Sequence, residues 1–406
     1  MEQDRYGSRV IAHLSAVVAV VAVAIAASMP AFATEVPVAG APLQIISRGV
    51  PAYASAGTAA YGNNAVYAQE GWLPDCEWTV YNSPAWLAYD LSGVPASDRA
   101  KILVVWYGGG QAYDCSIIKG ASYRMPGPYV LEGNAASGGT SPPTTGWTAL
   151  VTGDNPQLYH SRQHVVRFAG YNWLRFRVVS ENPNNYGGNL GTSIKLDVYN
   201  AAHGITDDLI IYGDSITQMT LFTNCIGPIV HEKLPEVNPI CEGGGIGFMT
   251  ARDGAAKLLP KWLPFFPGKY VCLAYGTNDA NLGRPAGDAD VSSFYDNYES
   301  MVKQILAVKK IPVIGTVIWA KDDGFRQRNL ELYNSALKRL KGKYPQILAG
   351  PDLYGRFKGH AEWYQDDLHP NAAGRDILRK AWAQWMLDTV YASQSKSASG
   401  GLGPVR

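Results

Sequence analysis

The sequence predicts two folds in series: a β-sandwich, then a three-layer α/β/α domain with a mostly parallel sheet. Two observations carry this. Up to about Tyr199, apolar residues recur with period two in short runs separated by turns, the mark of half-buried strands. After Asn200, apolar strands alternate with amphipathic helical stretches, which calls for a parallel sheet covered on both faces.

The chain has 406 residues, 47% of them apolar, and a net charge of +1, which leaves nucleic acid without an electrostatic footprint. Met1 to Ala33 reads as a secretory leader. Arg5 and Arg9 precede the apolar run Leu14 to Ala27, and Ala31-Phe32-Ala33 offers a small-x-small cleavage site. The run is shorter than the ~20 residues of a spanning helix. An uncleaved anchor is the competing reading. The expectation is a leader at 1–33 and a secreted or periplasmic mature chain without stable membrane insertion. Export admits disulfides, expected as Cys76–Cys115 and Cys225–Cys241, with Cys272 inside Tyr270 to Tyr275 acting as a small hydrophobe. Zinc spacing such as Cys-x-x-Cys is lacking in the sequence.

The sandwich is assigned to 34–200. Trp173 to Val178 alternates apolar with basic residues, and Ser193 to Val198 alternates again. Trp86 to Leu91, Ile102 to Tyr107, Tyr129 to Leu131 and His164 to Phe168 read as further strands, joined by Gly-, Ser-, Pro- and Asn-rich stretches such as Ala135 to Trp147. Ala201 to Asp207 reads as a linker. The second domain, 205–392, offers strands at Leu209 to Tyr212, Val237 to Cys241, Tyr270 to Tyr275, Ile311 to Trp319 and Gln346 to Leu348. Helical patterns run over Phe294 to Lys309 and Asn329 to Lys341. The tail at 393–406 has no periodicity and is expected to be disordered.

Four segments of this second domain belong together chemically. Gly213-Asp214-Ser215-Ile216-Thr217 breaks from the first strand into a helix, Gly243-Gly244-Gly245-Ile246-Gly247 follows the second strand, and Gly276-Thr277-Asn278-Asp279 follows the third. Asp366-Asp367-Leu368-His369-Pro370-Asn371 precedes the last helix. Loops after successive parallel strands converge on one sheet edge. A serine hydroxyl there is a candidate nucleophile but needs a base, and His369 is the candidate. Its imidazole needs an acceptor, which Asp366 can supply three residues upstream. The Ser215 N–H, a glycine N–H and the Asn278 amide are candidate donors to an oxyanion. Each segment alone has a plain alternative: glycine runs make turns, Asn-Asp caps helices, and His-Pro-Asn turns a chain. Their joint occurrence in this order is the signal.

On these motifs, Asp207 to Ala392 resembles the SGNH, or GDSL-like, hydrolases. The resemblance implies a flavodoxin-like α/β/α fold, Ser215 as nucleophile, Asp366 and His369 as acid and base, and no metal or organic cofactor. It puts Ser215, Gly247 and Asn278 around the oxyanion. Asp367 is the rival acid, and Gly245 the second choice among the glycines, because Cys241-Glu242 stands where the family usually has asparagine before a Gly-x-x-Gly-like turn. The first domain resembles a galactose-binding-like, discoidin-type jelly roll through Trp86 to Leu91, Gly146-Trp147 and Tyr171 to Phe176. Trp72, Trp78, Trp106 and Tyr107 are either sugar-stacking or core residues there. Together the resemblances imply an esterase that removes acyl groups, most plausibly acetyl, from a carbohydrate, the partner being an acylated carbohydrate or another small ester. An O-acyltransferase with the same residues, a lipase, and a non-catalytic glycan-binding protein are the rivals.

Overall fold

The computed structural model describes residues 43–67, 74–108, 124–155, 161–183, 185, 191–205, 209–321 and 324–392. The leader, Trp72, Cys115 with its expected bond to Cys76, and the tail lie outside the described residues.

The first half forms β1 (Gln44–Ile45), β2 (Ala52–Ala54), β3 (Trp78–Val80), β4 (Ala85–Asp90), β5 (Lys101–Gly108), β6 (Tyr129–Asn134), β7 (Thr148–Gly153), β8 (Ser161–Arg167), β9 (Trp173–Val178) and β10 (Thr192–Asn200). They build two five-stranded sheets, β2-β4-β9-β6-β7 and β1-β10-β5-β8 with β3 also on β10. All of these pairings are antiparallel. Leu87, Leu174 and Phe176 of one sheet share a core with Val104, Trp106 and Leu196 of the other, which makes this half a sandwich. Trp78 and Trp106 are buried in the sandwich core and Tyr107 on the other face of β5 against Leu103, Val105 and Ile240, so none of the three forms an exposed stacking surface.

β10 departs from the half-buried strand its alternation suggests. Both faces are covered. Ile194, Leu196 and Val198 enter the core, while Ser193, Lys195 and Asp197 are also fully buried on the opposite face. Charges tolerate such burial only when paired. Arg48 reaches Asp197 at 3.2 Å and Tyr67 donates to it at 2.6 Å. Lys195 donates to Asn64 Oδ1 at 2.7 Å, and Ser193 to Glu77 at 2.7 Å. The covering segments have no period of their own, so the sequence pattern does not reveal them.

The second half is a five-stranded parallel sheet of β11 (Leu209–Gly213), β12 (Cys241–Gly245), β13 (Tyr270–Ala274), β14 (Ile311–Ile314) and β15 (Leu348–Ala349). Its spatial order is β12-β11-β13-β14-β15. The order reverses at β11, so the crevice for a ligand opens beyond the carboxyl ends of β11 and β13. Helices α1 (Ser215–Thr220), α2 (Asp288–Ala307), α3 (Phe325–Lys343) and α4 (Ala372–Trp385) flank it. Ile210 and Tyr212 pack with Phe294, Tyr298, Leu330 and Tyr333 of α2 and α3. Leu209 and Ile211 pack on the other face with Trp382 of α4. β11 is therefore buried on both sides, as an unbroken apolar run should be.

Two expectations are corrected here. The second strand does not run over Val237 to Cys241; it begins at Cys241 and contains Gly243 to Gly245. The glycines belong to the strand because α1 lies across it: a Cβ on Gly243 would stand 2.3 Å from Leu221 O, and one on Gly245 2.4 Å from Gln218 N. The Cys225–Cys241 disulfide is not formed. Both are buried thiols in one apolar cluster, and each sulfur meets a different neighbour. Cys241 Sγ lies 3.5 Å from Met386 Sδ, and Cys225 Sγ 3.8 Å from Thr223 Oγ1. Cys272 is a buried thiol in β13, packed as a small hydrophobe.

Candidate active site

Ser215 opens α1 because Asp214 ends β11. Asp214 takes an extended backbone and its Oδ1 accepts the Ile216 N–H at 3.0 Å, an N-cap that lets the helix start at once. Burial pushes the Asp214 carboxyl up to about 7, the Ile216 N–H opposing this and Asp279 adding to it. The chain turns so tightly that Ser215 stands just beyond the sheet edge, its hydroxyl 3.0 Å from His369 Nε2.

His369 and Asp366 sit on one short loop that is held at both ends. Tyr364 and Pro370 form an antiparallel bridge, and the Gln365 N–H donates to His369 O at 2.9 Å. Asn371 caps α4 by accepting the Gly374 N–H at 3.1 Å, while Arg375 donates to Pro370 O at 2.7 Å. Within the loop, Asp366 Oδ1 accepts the N–H groups of Leu368 at 2.7 Å and His369 at 2.6 Å. Its other oxygen lies 2.9 Å from His369 Nδ1. Partial burial works against the Asp366 carboxylate. The hydrogen bonds from the His369 and Leu368 backbone and from the His369 ring outweigh it and hold the group below the usual carboxylate range. Asp366, not Asp367, thus meets the imidazole. With Nδ1–H directed at Asp366, Nε2 is the acceptor for the serine proton.

The donor side is assembled from strand register. Gly213 of β11 stands opposite Gly245 of β12 and Ala274 of β13, so the segments after all three leave the sheet at one level. Gly276 turns the third segment with φ +135°, a conformation only glycine takes readily. Asn278 Nδ2 donates to Met249 O at 3.0 Å, which fixes its amide and leaves the second N–H of that nitrogen to another acceptor. Ser215 is the first residue of α1, so its N–H has no intrahelical acceptor. Gly247 differs from its expected role: its N–H is buried and donates to Gln218 Oε1 at 2.8 Å. That donor is spent on tying the second loop to α1.

Gln218 and Arg375 escape sequence reading, since each works by bonding a backbone atom, Gly247 N–H and Pro370 O, that no motif marks. Asp279 escapes for a similar reason. It accepts the Ala251 N–H at 3.0 Å, bracing the third segment against the second, and burial raises its carboxyl to about 6.

Residues 211–377 match the GDSL-like Lipase/Acylhydrolase family, and the chain carries a domain of that kind there. Among solved structures, the acetylxylan esterase Axe2 from Geobacillus stearothermophilus is similar at 19% identity over 44% of this chain and 94% of that one, with a TM-score of 0.37. A carbohydrate esterase family 3 protein from Talaromyces cellulolyticus is similar at 16% identity, over 46% and 98%, with a TM-score of 0.36. A lipolytic G-D-S-L family protein from Veillonella parvula is similar at 19% identity, over 45% and 97%, with a TM-score of 0.36. No curated protein matches the sequence.

Proposed function

We propose that the protein is a serine esterase that removes short acyl groups, acetyl above all, from a carbohydrate through an acyl-enzyme on Ser215. The observation that carries this reading is the unbroken line from Ser215 Oγ to His369 Nε2 at 3.0 Å and from His369 Nδ1 to Asp366 Oδ2 at 2.9 Å. In this reading His369 takes the Ser215 proton as the oxygen attacks the ester carbonyl. Asp366 holds the tautomer and stabilises the imidazolium. The oxyanion is met by the Ser215 N–H and the free N–H of Asn278 Nδ2. His369 then returns its proton to the leaving alkoxide, and water repeats the sequence on the acyl-enzyme.

A sugar as leaving group is supported by the openness of the dyad. The Asp366 side chain is 49% exposed and that of His369 27%, so a bulky, hydrated alcohol can remain in water while its ester reaches the serine. Ser215→Ala should lower acetate release from O-acetylated oligosaccharides by at least about 10³-fold. A fluorophosphonate should add a single phosphonyl group to the native chain and none to this variant. Retained turnover in Ser215→Ala would remove the nucleophile. Transfer of the acetyl group to an added oligosaccharide in preference to water would turn the reading into an acyltransferase.

A further inference from the structure

Phe248 lies between two residues that are both tied to the candidate active site. On one side, Gly247 is held by Gln218 of α1 at 2.8 Å; on the other, Met249 O is held by Asn278 at 3.0 Å. The Met249 N–H reaches back to Ile246 O at 3.4 Å, which makes Phe248 the third residue of a turn. Its φ is +62°. A turn of that hand asks for glycine at this position, and a bulky side chain there is strained. Glycine is the immediately preceding residue, one place too early to relieve it. Lys309 shares the positive φ, but it stands just past the Val308 C-cap of α2, where such a conformation ends a helix. Phe248 ends no helix. Its ring gains almost nothing from packing either. At 70% exposure it is the most exposed large apolar residue among those described. Strained backbone and an uncovered aromatic ring together are costs that the fold itself does not explain, and such strain collects at ligand-binding positions.

We propose that Phe248 is a substrate-recognition residue whose ring forms a stacking platform for the apolar face of the sugar that bears the ester. This rests on the esterase reading above. An aromatic ring suits that role because the C–H face of a pyranose is apolar, while its hydroxyls stay in water around the ring edge. The loop's two tethers fix the platform relative to Ser215 and Asn278, so the sugar is oriented as well as bound.

The test compares native protein with Phe248→Ala, Phe248→Trp and Phe248→Gly. It uses chemically O-acetylated gluco-, xylo- and manno-oligosaccharides, ethyl acetate and ethyl butyrate. The ratio of kcat/KM on the preferred oligosaccharide to that on ethyl acetate should fall about tenfold in the Ala and Gly variants and be retained in Trp. Phe248→Gly should also raise Tm by about 2–4 °C, because glycine releases the strained φ at no packing loss. An unchanged ratio in Phe248→Ala would overturn the proposal, as would a lowered Tm in Phe248→Gly. A shift in the acetate-to-butyrate ratio instead would put the ring on the acyl side and overturn the sugar platform. Native protein that cleaves ethyl acetate but no oligosaccharide ester would overturn the platform while leaving the esterase intact. Native protein that cleaves none of the probes would remove both readings.

Discussion

The buried face of β10 and the carboxyl edge of the parallel sheet use the same kinds of residue to opposite ends. On β10, Asp197 is met by Arg48 and Tyr67, Lys195 by Asn64, and Ser193 by Glu77. Every chain of polar contacts there closes on another protein group, and Ser193, Lys195 and Asp197 themselves are fully buried. At the sheet edge the chain is open. Asp366 binds His369, His369 binds Ser215, and the serine hydroxyl terminates the line at a half-exposed surface. A closed network can only hold a fold. An open one can hand a proton to something that arrives. The difference teaches that residue type says little by itself; whether the polar line terminates inside the protein or at its surface decides the role.

The comparison predicts that substitutions at the edge change rate and leave stability alone, whereas those on β10 do the reverse. The largest effect is expected for Asp366→Asn. Its oxygen can still accept the Leu368 and His369 N–H groups, so the loop survives, but an amide N–H now faces His369 Nδ1 and favours the wrong tautomer. Turnover of ethyl acetate should fall about 10³–10⁴-fold, with Tm unchanged. A loss of Tm in step with activity would show that Asp366 is a loop brace, and the edge would no longer differ from β10. Next comes Asp197→Ala. It strips the partner from Arg48 and from the Tyr67 hydroxyl, and breaking a buried pair in this way costs about 3–5 kcal/mol. Urea unfolding should show that loss, while kcat per folded molecule stays within about twofold of native. Asp197→Asn, which keeps an acceptor for Tyr67, should lose less. Equal losses in the two variants would mean that the charge of Asp197 matters more than its hydrogen bond.

The open line was legible in the sequence and the closed one was not. Ser215, Asn278 and His369 follow or precede regular elements whose register fixes them, so a strand pattern is enough to bring them to one edge. The Asp-x-x-His spacing already contains the loop that joins Asp366 to His369. By contrast, the partners of β10 come from irregular segments, Arg48, Asn64 and Tyr67 among them, that carry no periodicity. Gly243 to Gly247 was half legible. Its tight contact with α1 follows from glycine, but which N–H remains available depends on Gln218, a side chain with no motif. Phe248 was illegible for the same reason, since its positive φ is set by tethers on either side of it. Cys225 and Cys241 misled because an expected export address permits a disulfide without placing two sulfurs face to face.

The smallest expected effect concerns a residue that joins the sandwich to the parallel sheet. Glu242 of β12 accepts a hydrogen bond from Ser161 of β8 at 2.6 Å and is buried. Burial pushes its carboxyl up to about 7, against the hydrogen bond from Ser161 and the charge of Arg162. An unfolded glutamate ionises near 4.5. Between these two values the folded protein binds more protons than the unfolded chain, so this group's contribution to stability falls as pH rises through that window and is level above it. Glu242→Gln keeps an acceptor for Ser161 and removes the ionisation. The variant should therefore be more stable than native by on the order of 2 kcal/mol at pH 8 and no more stable at pH 4.5, read from urea midpoints at both pH values. A gap of the same size at both would mean that Glu242 ionises in the folded protein at the same pH as in the unfolded chain. A loss of stability at pH 8 would mean that its charge holds the sandwich to the sheet, and the seam would then work like the closed network on β10.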